Sequence, residues 1–342
     1  MNYIRKDSTV LIIGGAGFIG HNLALKLKSE GVNVHIIDSF QVNNLLSLIS
    51  NTDNVSNPEL STFIVEKRLK ILKDKKIPIH VVDARDYHLL SENIAKINPD
   101  YVVHLAAVSH ANRSNKDPFT TFDNSLRTLE NALDASRKKV KKFIYLSSSM
   151  VYGNFETKEV NEETNCNPIG IYGALKFSGE KLVIAYNQVF DLPYTIIRPS
   201  ALYGERCISR RVGQIFIENA LQNKDISIDG DGEDKLDFTY IQDLVQGITR
   251  AIFSENANNQ IFNITYGNSR SIKELIDVLM IHFPSLNIIK KARDKLMPIR
   301  GTLSGEKATK LIGYKPEWPL EKGYIEYIKW YKKIYSNFSK NA

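Results

Sequence analysis

Tyr172 and Lys176 are four residues apart, a spacing that places both side chains on one face of a helix. A tyrosine hydroxyl ordinarily loses its proton at about pH 10, so it acts as a base near neutrality only beside a group that stabilises the phenolate. The Lys176 ammonium can do this, and the pair could then remove a proton from a substrate hydroxyl. The alternative is a pair of surface residues, because this spacing also occurs by chance in many helices.

Three consecutive serines, Ser147, Ser148 and Ser149, follow an apolar run that begins at Phe143. The run predicts a buried strand, and a hydroxyl at its end could donate a hydrogen bond to a substrate oxygen. For any one serine, the alternative is that it satisfies backbone groups at the strand end. The serines strengthen the case that Tyr172 takes part in catalysis.

The segment 9–38 joins an apolar strand, a glycine-rich turn, an amphipathic helix, a second strand and a terminal carboxylate. Gly15, Gly17 and Gly20 fit the pattern G-x-G-x-x-G, which permits a tight turn, close approach of backbone N–H groups to a pyrophosphate, and close helix packing. Asp38 follows at about the 20-residue spacing expected of a carboxylate that binds the adenosine ribose and repels a 2′-phosphate. The segment predicts a site for NAD rather than NADP, although Asp38 could merely form a turn.

Apolar runs alternate with helical periodicity, which predicts an α/β fold with a Rossmann-type, doubly wound parallel sheet. We expect a cofactor domain over 1–198, to which about 236–266 returns, and a smaller C-terminal substrate-binding domain over 199–342. The segment 41–76 contains no chemical constellation and is interpreted as a surface excursion or a lid. The remaining predicted strands are 32–37, 77–82, 101–107, 143–147 and 194–199.

The 342 residues are 43% hydrophobic and 24% charged, as in a soluble globular protein. Cys166 and Cys207 are the only cysteines, so we expect free thiols, a reducing compartment and no metal site. The net charge of +7 arises from dispersed lysines, which does not indicate nucleic-acid binding. Without a run of about 18 apolar residues, we expect a cytoplasmic protein with no membrane partner.

Both ends of the chain carry basic residues beside apolar ones. Arg5 and Lys6 precede an apolar run that the glycines interrupt, so we interpret that run as a core strand rather than a targeting signal. The segment 321–338 is a basic aromatic helix that could lie on a membrane. We expect instead that one of its faces packs against the core, formed by Tyr324, Ile325, Ile328, Trp330 and Tyr331.

A series of motifs extends over nearly the full length of the chain: the GGAGFIG turn with Asp38, Asp83 in VVDARD, HLAA at 104–107, Ser114 to Pro118, Asn124, SSSMVYG, YGALK, IIRPSALYG, LDFTYIQD and RGTLSGEKATKLIGYKP. With these motifs the chain resembles the extended short-chain dehydrogenase/reductase family, in particular its NAD-dependent nucleotide-sugar epimerases and dehydratases. Together the motifs are far more specific than any one of them.

The resemblance implies that Tyr172 takes a proton from a sugar hydroxyl, usually at C4, while that carbon passes hydride to NAD. Ser148, or failing it Ser149, would hydrogen-bond the same oxygen, and Lys176 would hold the ribose and lower the pKa of Tyr172. His104 would be structural. The implied cofactor residues are Gly14, Gly15, Gly17, Phe18, Ile19, Gly20, Asp38, Asp83, Ala84, Leu105, Ala106, Ala107, Asn124, Tyr172, Lys176 and Pro199. The implied substrate residues are Ser109, Ser148, Ser149, Arg206, Arg210, Arg211, Lys235 and Arg300.

The residues after Ser148 indicate which member of the family this is. Sugar 4,6-dehydratases resembling this chain carry two acidic residues where Ser149 and Met150 stand, and methionine cannot transfer a proton. We therefore favour a 4-epimerase of UDP-sugars. A nucleotide-sugar 4-dehydrogenase or ketoreductase remains the alternative, whereas a non-catalytic NAD sensor would not need the Tyr172 and Lys176 pair.

Two departures from the family pattern concern the diphosphate. Leu236 stands where a phosphate-binding arginine is common, and Ala201 stands where an asparagine is usual. We hypothesise that arginines of the segment 206–211, together with Arg300, neutralise the diphosphate instead, since guanidinium groups suit phosphate contacts; the alternative is a solvated loop. The resemblance also implies a homodimer formed through 124–137 and 174–190.

Overall fold

A computed structural model describes residues 4–50, 57–108, 111–294 and 296–340. Its strands are β1 Thr9–Ile13, β2 Asn33–Asp38, β3 Ile79–Val81, β4 Tyr101–His104, β5 Lys142–Leu146, β6 Glu159–Val160, β7 Tyr194–Arg198, β8 Leu202–Tyr203, β9 Ile226–Asp229, β10 Lys235–Leu236, β11 Thr239–Tyr240, β12 Gln260–Asn263, β13 Arg270–Ser271, β14 Ile288–Lys291 and β15 Thr302–Leu303.

The α-helices are α1 Phe18–Ser29, α2 Leu45–Ile49, α3 Pro58–Asp74, α4 Tyr87–Ile97, α5 Ala111–Lys116, α6 Pro118–Phe122, α7 Thr128–Ser136, α8 Gly170–Phe190, α9 Val212–Leu221, α10 Ile241–Phe253, α11 Ile272–Met280, α12 Glu306–Ile312 and α13 Leu320–Ser339. A π-helical turn, Asp123–Arg127, joins α6 to α7, and short 3-10 turns lie at Ser149–Tyr152 and Glu255–Ala257.

Seven strands form a parallel sheet in the order β12-β7-β5-β4-β1-β2-β3. The inner strands β1, β4, β5 and β7 are apolar on both faces because helices cover both sides. Chain order reverses between β1 and β4, and in such sheets ligands bind beyond the carboxyl ends of the strands at this point. The α/β, doubly wound Rossmann-type fold predicted from the sequence is confirmed.

The helix α8 lies unusually close to the end of β5. A Cβ atom added to Gly173 would lie 2.7 Å from the Met150 carbonyl oxygen, so this contact requires glycine. The close approach brings the first turns of α8, which carry Tyr172 and Lys176, against the serines that follow β5. The predicted helical spacing of this pair is therefore realised at the predicted edge of the sheet.

The segment 41–76 differs from the expectation of a surface excursion. Its long helix α3 buries Leu60, Ile64 and Leu72 in the core and packs against α1 and α13. The ring of Phe63 lies 5.7 Å from that of Phe338 in α13. Apolar residues of α3 recur every four positions, but the many lysines on the other face of the helix obscured this pattern.

The C-terminal helix α13 packs on the core with its aromatic face, as predicted. Tyr324, Ile328 and Tyr331 are fully buried. The Tyr324 hydroxyl donates a hydrogen bond to the Gly213 carbonyl oxygen at 2.8 Å, which ties α13 to the start of α9. Among the described residues, no helix combines the length and apolar character needed to cross a membrane.

Candidate active site

Lys176 points inward from α8 towards the end of β5. Its Nζ donates a hydrogen bond to the Leu146 carbonyl oxygen at 2.7 Å and lies 5.1 Å from the centre of the Tyr145 ring. Burial lowers the pKa of Lys176 to about 8, while the Glu180 carboxylate raises it. The lysine is thus a buried cation fixed at the edge of the sheet where Ser147 follows.

Tyr172 lies one turn before Lys176 on α8. Burial raises the pKa of Tyr172, whereas the charge of Arg211 and a hydrogen bond from Ser148 lower it. Two groups therefore act in the direction that favours a phenolate. The Lys176 ammonium instead donates to the Leu146 carbonyl oxygen.

The three serines have different environments. Ser147 donates a hydrogen bond to Glu180 Oε1 at 2.5 Å, so its hydroxyl is engaged inside the protein. Ser148 begins the 3-10 turn, accepts a hydrogen bond from the Met150 N–H at 3.2 Å, and also bonds to Tyr172. Ser148 is therefore the serine placed to share a substrate oxygen with Tyr172.

Behind these residues lies a buried ion pair. The Glu180 carboxylate accepts hydrogen bonds from Arg198 Nε at 2.9 Å and from Arg198 Nη2 at 2.7 Å. The third guanidinium nitrogen, Nη1, donates to the Tyr152 hydroxyl at 3.0 Å. This pair and Ser147 form a rigid support beneath the face of α8 that carries Lys176.

The glycine-rich turn opens a cleft of about 120 Å³ beyond β1. Gly17 is the N-cap of α1 and provides no side-chain cap, so the N–H groups of the first turn of α1 have no partner within the helix. A Cβ atom added to Gly17 would meet, among the described residues, only the Gly14 carbonyl oxygen at 3.2 Å. An open backbone cradle at a positive helix end fits the pyrophosphate of a dinucleotide.

Asp38 lies at the end of β2 on the wall of this cleft. Its Oδ2 accepts a hydrogen bond from the Ala16 N–H at 2.9 Å and its Oδ1 accepts one from the Phe40 N–H at 2.8 Å, while burial raises its pKa. Asp83 is paired with Arg85 at 2.6 Å. The predicted cofactor residues that line the cleft are Gly14, Gly17, Phe18, Ile19, Gly20, Asp38, Asp83, Ala84, Leu105, Ala106, Ala107 and Asn124.

A second cavity of about 450 Å³ adjoins the cleft. The two share Ile19, Leu105, Ala107 and Arg211 in their walls. The predicted residues that line the larger cavity are Ser148, Ser149, Tyr172, Lys176, Pro199, Arg210, Arg211 and Arg300. The predicted cofactor residue Gly15 lines neither cavity and packs beneath the turn against Ile36.

Arg211 and Arg300 form a positive wall on one part of the larger cavity, whose lining also includes Asp229, Asp234 and Asp294. The Nε atoms of both are buried and have no hydrogen-bond partner among the described residues. Burial, and after it the charge of Arg211, lower the pKa of Arg300 to about 10. Two guanidinium groups that repel each other across a cavity suit an anionic ligand such as a diphosphate.

Two described residues that were predicted to bind substrate, Arg206 and Lys235, do not line these cavities. Arg206 bonds to α1 instead, where its Nε donates to His21 Nε2 at 2.9 Å and its Nη2 donates to Asn22 Oδ1 at 3.1 Å. Lys235 is exposed on β10, and its neighbour Leu236 lines the larger cavity. Ser109 lies outside the described residues.

Sequence reasoning missed two features of the site. Arg68 of α3 lines the cofactor cleft, and its signal was a charged residue at an apolar position of the helical repeat. Asn115 lines the larger cavity, and its Oδ1 accepts a hydrogen bond from the Ile171 N–H at 3.0 Å at the start of α8. No local pattern indicated that contact, because the two residues are 56 positions apart.

Known proteins resemble this chain over most of its length. Residues 10–265 match the model of the NAD dependent epimerase/dehydratase family. A putative UDP-glucose 4-epimerase of Methanocaldococcus jannaschii is 31% identical, over 94% of this chain and 98% of the relative. UDP-glucuronic acid 4-epimerase of Bacillus cereus, solved with UDP-glucuronic acid and NAD, superposes with a TM-score of 0.85 at 28% identity, covering 96% of this chain and all of that one. UDP-glucose 4-epimerase of Thermotoga maritima superposes with a TM-score of 0.82 at 25% identity, covering 95% of this chain and 99% of that one.

Proposed function

The chain belongs to the NAD-dependent epimerase/dehydratase family, and we propose that it is an NAD-dependent 4-epimerase of UDP-sugars. The observation that carries this proposal is the position of Tyr172, Ser148 and Lys176 on the wall of a cavity that adjoins a dinucleotide cleft. The structural neighbours named above are UDP-sugar 4-epimerases, which supports the choice of UDP-sugar as substrate.

In this proposal Tyr172 removes the proton of the sugar C4 hydroxyl, and Ser148 donates a hydrogen bond to the same oxygen. NAD held at the glycine-rich turn and Asp38 would supply the acceptor for the hydride from C4 and the donor that returns it. After the 4-keto sugar has turned its other face towards the cofactor, Tyr172 gives its proton back to the C4 oxygen. Atoms and electrons balance over the cycle, because one hydride and one proton leave C4–O–H and both return.

The positive wall of the cavity provides the diphosphate contacts in this proposal. Arg211 and Arg300 carry buried, unpartnered Nε atoms, and Arg210 lines the same cavity. Their charges replace the arginine that the family commonly has where Leu236 stands. An enzyme that turns its keto sugar must hold the nucleotide firmly while it leaves the sugar free, and charge concentrated at the diphosphate meets both needs.

The side chains beside Ser148 favour epimerisation over elimination of water. Ser149 and Met150 line the cavity, and neither is an acid that could protonate a leaving hydroxyl. The two residues that follow Ser148 therefore favour hydride transfer at C4 with one proton over elimination of water.

Tyr172→Phe tests the proposed base. We expect kcat/KM to fall by a factor of about 10² or more, as for loss of a general base, while the Kd for NAD stays within about twofold. Tyr186→Phe is the matched control, because it removes a hydroxyl from the same helix at a half-buried position that lines neither cavity. Turnover retained by Tyr172→Phe would refute its role as the base.

We also propose a cytoplasmic homodimer formed through 124–137 and 174–190. In support, Val189 near the end of α8 is 69% exposed, and Phe190 beside it is partly exposed. Both cysteines are free, in keeping with a reducing compartment. Sedimentation should give a dimer for the natural protein and a monomer for Val189→Glu, and a natural monomer at micromolar concentration would contradict the proposal.

The proposed division into a cofactor domain, 1–198 with about 236–266, and a substrate domain, mainly 199–342, has support in the sheet. Strand β12, within 236–266, pairs in parallel with β7 at the sheet edge. The segment 199–342, outside 236–266, also provides Arg211 and Arg300 to the larger cavity.

A further inference from the structure

Arg68 of α3 is fully buried and lines the cofactor cleft. Its Nη1 donates a hydrogen bond to the Ala16 carbonyl oxygen at 3.0 Å, within the glycine-rich turn. Its Nη2 donates to the Arg206 carbonyl oxygen at 2.6 Å, and its Nε is buried with no partner among the described residues. The guanidinium thus joins the cofactor turn to the segment that leads to Arg211.

The charge of Arg68 has no close counter-ion in the parts of the chain that the structure describes. Within 4–50, 57–108, 111–294 and 296–340, no carboxylate oxygen lies within 4.0 Å of it. The nearby Asp38 attracts it, but both carboxylate oxygens of Asp38 accept backbone N–H groups. The partners of Arg68 are neutral carbonyl groups, and a buried charge of this kind is costly.

The other deeply buried guanidinium of the sheet region shows the contrast. Arg198 is equally hidden from solvent, yet it makes a bidentate pair with Glu180 at 2.7 and 2.9 Å. Arg68 lies instead beside an open cleft whose backbone cradle fits a pyrophosphate. The feature that distinguishes the two arginines is therefore the anion site next to Arg68.

We propose that Arg68 provides the positive charge that neutralises the diphosphate of the bound dinucleotide, acting from beneath the glycine-rich turn. Occupation of the cleft gives the buried guanidinium a second anion besides Asp38, whose two oxygens already accept backbone N–H groups. The inference rests on the dinucleotide site and not on the sugar reaction, so it can fail while the proposed epimerase activity stands.

The test compares two ligands that carry a diphosphate, ADP and NAD, with adenosine, which carries none. Cofactor-free protein is titrated with ADP, with NAD and with adenosine by calorimetry or by competition. We expect Arg68→Met to weaken ADP and NAD binding at least tenfold, which corresponds to about 1.4 kcal/mol, and to change adenosine binding by less than twofold. Lys73→Met is the matched control, since it removes a charge from the exposed face of the same helix and should change none of the three.

Further variants keep the test decisive if Arg68→Met does not fold. Arg68→Gln retains a donor for the Ala16 carbonyl oxygen but lacks the charge, so it should show the same selective loss of ADP. Arg68→Lys retains the charge and should recover most of the preference for ADP over adenosine. Equal losses for ADP and adenosine in the neutral variants, or no loss for ADP, would overturn the proposal.

Discussion

Replacing Glu180 with glutamine should lower the thermal stability of this protein strongly, because it leaves the Arg198 guanidinium buried without a counter-ion. In the native protein the carboxylate accepts two hydrogen bonds from Arg198 and one from Ser147. Both partners of the ion pair are almost completely hidden from solvent. The substitution keeps the shape of the side chain but removes the negative charge.

The expected size follows from the burial. Breaking a buried pair by neutralising one partner costs about 3–5 kcal/mol. For a 342-residue chain that unfolds as one unit, the entropy of unfolding is about 0.7 kcal/mol per kelvin. The melting temperature of Glu180→Gln should therefore fall by about 4–7 °C.

Differential scanning calorimetry of the natural protein and three variants measures this. Glu30→Gln is the control, because it neutralises an exposed pair with Lys26 and should change stability by less than about 1 kcal/mol. The double variant Glu180→Met with Arg198→Met should recover more than half of the loss, since apolar residues replace both charges. The reasoning would be refuted if the melting temperature of Glu180→Gln fell by less than 1 °C, or if the double variant were no more stable than Glu180→Gln.

Two further predictions concern acid stability and the diphosphate site. Burial lowers the pKa of His104 to about 3. Below about pH 6.5 the unfolded state therefore binds more protons than the folded state. The contribution of His104 to stability is lost as the pH falls through this range. Denaturant unfolding at pH 7.5 and pH 5 should show the natural protein losing about 2 kcal/mol more than His104→Phe, and equal losses would contradict the assignment. Arg300→Leu should weaken UDP binding about tenfold or more, as expected for loss of a charged hydrogen bond, whereas the exposed Lys235→Ala should not; equal effects in calorimetry would count against the cavity arginines.

The sequence predicts the central sheet well because its strands are nearly continuous apolar runs. Such runs are typical of strands that are buried on both faces of a sheet. The pair Tyr172 and Lys176 was also predictable, since its spacing is a property of a single helix. The choice of Ser148 over Ser147 came from the family register, and the structure adds a physical reason, because Ser147 is engaged by Glu180.

The contacts of Arg68 and Arg206 were not predictable from local patterns. Arg68 meets the Ala16 carbonyl oxygen 52 positions away, and the side chain of Arg206 meets α1 more than 180 positions away. Arg206 also adopts a positive φ of 64°, which sets the direction of its side chain and which its residue type does not indicate. Such contacts depend on how the elements pack rather than on the elements themselves.

The most direct test of the proposed activity is an incubation of the purified protein with UDP-, GDP-, dTDP- and CDP-sugars. Products are resolved by NMR while the absorbance of NADH is followed. The account predicts that a UDP-sugar is converted into its C4 stereoisomer with no net NADH. A keto sugar that accumulates together with NADH would contradict it and would identify a nucleotide-sugar dehydrogenase.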